Sequence, residues 1–339
     1  MVKLHPAPQK GIALLMVLLA LALVSAGLPW LVQQGRYELD AARLLQQQVQ
    51  ARMMEQAARS FVVQAFTDPL WRQNPLFWQA VRGFPLSYPF AEGSARVRIR
   101  DLRTCFNLNA LLGEDQERAH RQLVHLLSRR LGALSAEQYA QQVKDWLDAD
   151  DQPQLLGAES DHYARQAEPY RVANRAMRDR TELNLIPDPQ AQRYLSYPEL
   201  CVVPDHSGWR LNANALTLEH LPLLEALYEG QVSRTVLTQL ITARPITGYP
   251  DAEALRQALG AMDDSSFARL AEGLVLNTDH ILLGLEISLQ EQPFRSLHQV
   301  EARGVSRWHA RIPAQSVRFR GRQPAPLWQA DRGIFSLGF

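Results

Sequence analysis

Cysteine is almost absent from this chain: Cys105 and Cys201 are the only two in 339 residues. They lie in separate, unlike segments, which excludes a metal knuckle and a redox Cys-x-x-Cys pair. An excess of either charge is lacking too. Lys plus Arg number 36 against 35 Asp plus Glu, and a net charge of +1 makes no global electrostatic case for nucleic acid or for an acidic partner. Signatures of common catalytic machineries are also missing. The sequence has no Gly-x-Ser-x-Gly, no His-Glu-x-x-His, no phosphate-binding glycine loop and no dinucleotide fingerprint. His120 and His125 are five apart, which keeps them off one helical face. These absences weigh against an enzyme and leave function to local features. What is present, with 46% hydrophobic residues, is enough apolar material for one large domain or two ordinary ones.

Asp and Glu are missing from Met1 to Tyr37, where Lys3 and Lys10 precede an apolar run from Ile12 to Ala26. Extended through Pro29, Trp30, Leu31 and Val32, this stretch reaches about 21 residues, or roughly 30 Å of helix, enough to span a bilayer with the lysines on the cytoplasmic side. Two processing schemes fit. A signal peptidase could cut after Val24-Ser25-Ala26, or a pilin-type leader could end at Gly11, leaving Ile12 as the first mature residue. Helical character favours the second, because it continues downstream with Leu45, Val49, Met53, Ala57, Phe61 and Ala65 recurring every four residues. This predicts one long helix, bent or loosened at Gly27 and Pro29, whose later half turns that stripe toward a globular domain. Export in turn predicts a disulfide between Cys105 and Cys201, since only an oxidising compartment lets such a pair persist.

Prolines 69, 75, 85 and 89, with Gly83 and Gly93, mark a loop-rich stretch. Ser94 to Asp101 then alternates as a strand with one wet face; Ile281 to Leu289 does the same, and Val317 with Phe319 forms a third alternating run. Between the first two, helices are predicted over 116–131, from the capping-box sequence Ser135-Ala136-Glu137-Gln138 to about Asp148, and over 218–228, 232–243, 252–259 and 265–274. A small sheet interrupted by helices implies an α+β fold with an inserted all-α domain.

The order of motifs carries a family resemblance. Lys10-Gly11-Ile12-Ala13-Leu14-Leu15-Met16 looks like the start of type IV pilin-like proteins. Arg98-Ile99-Arg100-Asp101-Leu102-Arg103-Thr104-Cys105-Phe106-Asn107-Leu108-Asn109 follows, then Asp145-Trp146-Leu147-Asp148-Ala149-Asp150, Glu168-Pro169-Tyr170-Arg171-Val172-Ala173-Asn174-Arg175, Thr181-Glu182-Leu183 and Leu211-Asn212-Ala213-Asn214-Ala215. Together they resemble the K-type minor pseudopilins of bacterial type II secretion, the general secretion pathway protein K family. Met16 occupies the fifth mature position, where most pilin-like proteins have Glu, a departure that the K-type shares.

The resemblance implies a leader over 1–11, a transmembrane half-helix over 12–32, a pilin-like domain split between 33–110 and 277–339, and an inserted helical domain over 111–276 containing a helix-hairpin-helix-like (SAM-like) segment. It implies cleavage by a prepilin peptidase, a single pass of the inner membrane, a periplasmic globular part, and assembly with I- and J-type minor pseudopilins at the pseudopilus tip. It also implies Ca²⁺ in the inserted domain, for which the candidate ligands are Asp148, Asp150, Asp151, Glu159 and Asp161. Read from the residues alone, this cluster admits either a calcium loop or a solvated acidic loop. Counting from Asp148 places Glu159 twelfth, but Pro153 stands where an EF-hand needs its turn glycine. The rival from another class is a competence-type helix-hairpin-helix DNA-binding membrane protein; a periplasmic hydrolase behind a signal anchor is a third. The 209–273 segment holds five Arg and no Lys against eight Asp plus Glu, and a net of −3 argues against a phosphate grip.

Overall fold

The computed structural model describes residues 10–68, 70–91, 93–187, 197–204, 208–260, 262–289, 292–301 and 306–312. Two compact units divide the chain, residues 1–56 and 57–339. Helix α1 (Lys10–Thr67) supplies all of the described part of the first and enters the second. It is continuous across Pro29. Among the described residues, no helix is long and apolar enough to cross a membrane.

Of the predicted stripe on α1, Ala65 is buried, but Phe61 is 53% exposed and Leu45, Val49 and Met53 are exposed as well, whereas Val62 and Phe66, outside the stripe, are buried. A strict four-residue row turns by about 40° per step, so it winds off any one face within a few turns. The face that packs follows mixed steps of three and four, through Ala58, Val62, Ala65 and Phe66.

The loop-rich stretch after α1 is more regular than its prolines suggest. Asn74 caps α2 (Pro75–Val81) by accepting from the Leu76 N–H, with Pro75 at the first helical position, where a missing donor costs nothing. Strand β1 (Leu86–Phe90) follows despite containing Pro89. It lies at the sheet edge, where a proline is tolerated. β2 (Gly93–Asp101) pairs with it antiparallel.

The chain then leaves the sheet. β3 (Phe106–Asn107), α3 (Gln116–Leu131), α4 (Ala133–Leu147), the short α5 (Ser160–Tyr163), β4 (Leu200–Cys201), β5 (Leu211–Asn212), α6 (Leu221–Leu227), α7 (Arg234–Thr242), α8 (Ala252–Leu259), α9 (Asp264–Glu272) and β6 (Leu274–Val275) intervene before β7 (His280–Leu289) returns beside β2. α4 starts earlier than the Ser135 motif suggests, because Gly132, with φ of 80°, turns the chain directly out of α3. β8 (Gln292–Glu301) and β9 (Ser306–Ile312) complete an antiparallel sheet in the order β1-β2-β7-β8-β9. The run containing Val317 and Phe319 lies outside the described residues.

Among the described residues, two large apolar cores result, with a small third cluster around Cys105 and Cys201. Phe66, Phe77, Trp78 and Val81 pack with Ile99, Leu283 and Leu285 of the sheet. The helical block has its own, with Leu123 and Leu127 of α3, Val143 of α4, Leu224 of α6 and Leu240 of α7 all fully buried.

A polar pin fastens block to sheet. Asp101 is completely buried; its Oδ1 accepts the Arg103 N–H at 2.8 Å, and its Oδ2 accepts from Asn212 Nδ2 at 2.6 Å and Thr278 Oγ1 at 2.5 Å. The neighbouring Arg103 guanidinium pairs with Asp279 at 3.0 and 2.6 Å. Burial wins over the hydrogen bonds to Asp101 and raises its pKa to about 6. The fold holds this proton more tightly than the unfolded chain does. Stability linked to the protonated form is thus complete below the ordinary value of 3.8 and is lost as pH rises through about 6. The loss amounts to about 3 kcal/mol. In urea titrations with chelator present, Asp101→Asn should flatten stability between about pH 4 and about pH 7 relative to the unmodified protein; parallel pH slopes would contradict this.

Candidate metal centre

The acidic segment begins where α4 ends. Asp148 is the C-cap in extended conformation, its N–H donating to the Lys144 carbonyl, and Glu159 caps α5. The loop between them is built on Asp145, which is fully buried and accepts the Gln154 N–H at 3.1 Å and Gln154 Nε2 at 3.0 Å. Gln141 Oε1 accepts the Leu156 N–H at 2.7 Å. A Cβ on Gly157 would fall 1.8 Å from Asp145 Oδ2, so only glycine fits this close approach.

The loop brings three carboxylates together: oxygens of Asp148, Asp150 and Glu159 lie within 4.8 Å of one another. Glu159 is 4% exposed, and neither of its oxygens has a hydrogen-bond partner; Asp148 Oδ1 is buried and unpartnered as well. Burial first, then the charges of Asp150 and Asp145, raises Asp148 to about 6. Burial, then Asp145 and Asp148, raises Glu159 to about 7. Asn174, at φ of 44°, donates Nδ2 to the Asp150 carbonyl at 3.0 Å while its Oδ1 is buried without a partner.

Orphaned buried oxygens that repel one another are costly, and a hard cation satisfies them together. The donor set of carboxylates plus an amide oxygen fits Ca²⁺. Two candidates from the sequence are not part of this trio, although the charge of Asp151 acts on Glu159. Asp151 accepts from Ser160 Oγ at 2.8 Å, and Asp161 is exposed and pairs with Arg165 at 3.6 Å. Asn174 and Gly157 escaped the sequence reading, which counted only carboxylates. Asn174 lies within a motif already singled out, but nothing in its residue type distinguishes a ligand from a turn residue.

Cys105 and Cys201 are joined in a disulfide, with Cα atoms 5.8 Å apart, packed against Leu102 and Val203. His120 donates Nε2–H to Glu137 Oε1 at 2.9 Å between α3 and α4. At the α6–α7 hairpin, the Gly230 N–H donates to the Glu225 carbonyl and the Gln231 N–H to the Tyr228 carbonyl. The donors that a phosphate would need are therefore already engaged.

Fold and cluster together define an α+β protein in which a helical block carrying a loop of clustered carboxylates interrupts a small antiparallel sheet. Residues 104–205 and 211–277 match the family described as type II secretion system (T2SS), protein K. The chain is 28% identical over 321 residues to type II secretion system protein K of Pectobacterium carotovorum subsp. carotovorum, covering 88% of this chain and 94% of that protein. It is 31% identical over 276 residues to the Klebsiella pneumoniae protein of that name, covering 77% and 83%. A solved structure, the GspK-GspI-GspJ complex from the type 2 secretion system of enterotoxigenic Escherichia coli, contains a chain of like fold, with a TM-score of 0.58 and 23% identity over 79% of this chain and all of that one. The chain belongs to the type II secretion system protein K family.

Proposed function

We infer that this protein is a minor pseudopilin that works by assembly, not catalysis, in a tip complex with I- and J-type partners. Family membership over both halves of the helical block is the observation that carries this reading, and the related chain in complex with GspI and GspJ supports it. The pseudopilus supports export of folded proteins across the outer membrane, and the globular part faces the periplasm. Met16 supports the tip position. A fifth-position Glu within a bundle of apolar helices needs a partner charge from a neighbouring subunit, and Met16 can neither use nor supply that ion pair. Co-purification with I- and J-type subunits at one copy each tests the assignment; labelling repeated along the shaft would overturn it.

Residues 12–32 anchor the chain in the inner membrane as a single pass, on the strength of their composition and the flanking lysines. The α6–α7 and α8–α9 pairs form the SAM-like segment, used structurally and not for nucleic acid. Boundaries at 110/111 and 276/277 set off the inserted domain. A prepilin peptidase removes residues 1–11, so N-terminal sequencing of the mature protein should begin at Ile12. A mature chain that starts at Gly27 and floats free in the periplasm would refute both the anchor and the processing site. Asp148, Asp150, Glu159 and Asn174 hold Ca²⁺, which supplies the positive charge that the loop lacks.

A further inference from the structure

A cleft of about 520 Å³ opens between the sheet and the helical block, bounded by β2, β7, α3 and α6. Five arginines line it: Arg82, Arg98, Arg100, Arg129 and Arg130. Against them, the lining described holds two carboxylates, Glu199 and Glu219.

The inner arginines are held by carbonyls. Arg82 donates Nε to the Asn214 carbonyl at 3.1 Å and Nη2 to that of Ile246 at 3.3 Å, and Arg100 donates Nη2 to the Pro198 carbonyl at 2.5 Å. A carbonyl dipole satisfies a donor but does not cancel a full charge. Burial and the nearby Arg180 charge accordingly lower Arg100 to about 10. His220, also in the lining, is lowered to about 4 by burial, with the charges of Arg100 and Arg244 adding to this. Its imidazole is thus neutral near pH 7, and because Nδ1 accepts the Thr217 N–H at 2.9 Å, the proton resides on Nε2. Positive charge and donors dominate the walls. Ile99, Leu126, Leu223 and Leu282 give the same cleft an apolar floor.

We propose that this cleft binds an acidic segment of a partner polypeptide, one that sets a carboxylate among Arg82, Arg100 and Arg129 and an adjacent apolar side chain on the floor. A free inorganic anion would answer the charge but leave the apolar floor wet, and a neutral peptide would cover the floor but leave unanswered the arginine charge that remains in excess after Glu199 pairs with Arg130 at 3.7 Å and Glu225 with Arg129 at 2.7 Å. The near-zero charge of the whole chain is no objection, because the asymmetry is local. This inference stands on the cleft alone and does not depend on the tip-complex reading.

The test is fluorescence anisotropy of a labelled peptide of alternating Asp and Leu, titrated with the purified full chain in detergent. Binding should saturate and weaken with salt. It should fall about tenfold in Arg82→Gln and in Arg129→Gln, and tighten in Glu219→Gln. Arg129 lies at the exposed rim, where its ion pair with Glu225 at 2.7 Å is not needed for folding, so that variant decides the matter if Arg82→Gln fails to fold. The same peptide with Asn for Asp should not bind, and inorganic phosphate should compete weakly. The proposal is overturned by absent saturation, by equal binding of the Asn peptide, by phosphate binding in the peptide's place, or by natively melting Arg variants that bind like the unmodified chain.

Discussion

Adding Ca²⁺ at about one hundred times its dissociation constant to chelated protein should raise stability by about 2.7 kcal/mol, a shift of roughly 5 to 10 °C in melting temperature. The decisive variant is Glu159→Gln. In the metal-free fold, the Glu159 carboxyl is held up to about 7 by burial and by its acidic neighbours, so the ionised form opposes folding once pH exceeds its ordinary value of 4.5. Glutamine removes that repulsion. The variant should therefore melt no lower than the unmodified protein in chelator, yet lose most of the rise with Ca²⁺. Equal loss in both conditions would mark Glu159 as a packing residue and sink the metal reading. Acidity adds a second signature. Asp148 and Glu159 must lose protons to bind metal, so affinity should climb as pH rises through about 6 to about 7 and level off above. The metal-free fold moves the opposite way, losing stability over that window as the two raised carboxyls ionise.

Removing the disulfide should have the larger effect. Cys105 and Cys201 are 96 residues apart in sequence, and closing a loop of that length lowers the entropy of the unfolded chain by an amount worth about 4 to 5 kcal/mol. Both cysteines are buried, so a Cys105→Ala/Cys201→Ala double variant avoids leaving new polar groups in their apolar pocket. Its urea midpoint should drop by a large fraction of total stability, and the unmodified protein unfolded and refolded in reductant should match it. An unchanged midpoint would contradict the expectation. The acidic loop lies inside the closed loop, so the two stabilisations share an unfolded reference and should not simply add.

How much of this could be read from the sequence depended on how local the cause was. α3 and α8 matched residue by residue, because their amphipathic periods and flanking turn residues act within a few positions. β1 was hidden by Pro89, since a proline counts against a strand until its place at the sheet edge is known. β8 carried too weak an alternation to show itself without β7 beside it. The stripe on α1 was misplaced because a repeat of four is not the period of a helix. In the acidic loop, Asp148, Asp150 and Glu159 could be proposed from composition, but the buried Asp145–Gln154 bonds and the close approach of Gly157 that shape the loop are contacts no spacing rule encodes. The arginine cleft left no trace in net charge, because its five arginines come from three separate stretches of chain and acidic residues elsewhere balance them.

The chain leaves the sheet at Asp101 and returns so that Asp101 faces Ile281 across adjacent strands. Mechanically, the whole helical block is then a side branch on the β2–β7 ladder. A thrust or pull transmitted along the sheet passes from strand to strand through hydrogen bonds and need not travel through the block, whose chain enters and leaves at two neighbouring points and is tied back by the Asp101–Asn212 bond and the Arg82 and Arg100 bonds to carbonyls. The acidic loop, lying within that branch, can stiffen or slacken without breaking a hydrogen bond of the β2–β7 ladder.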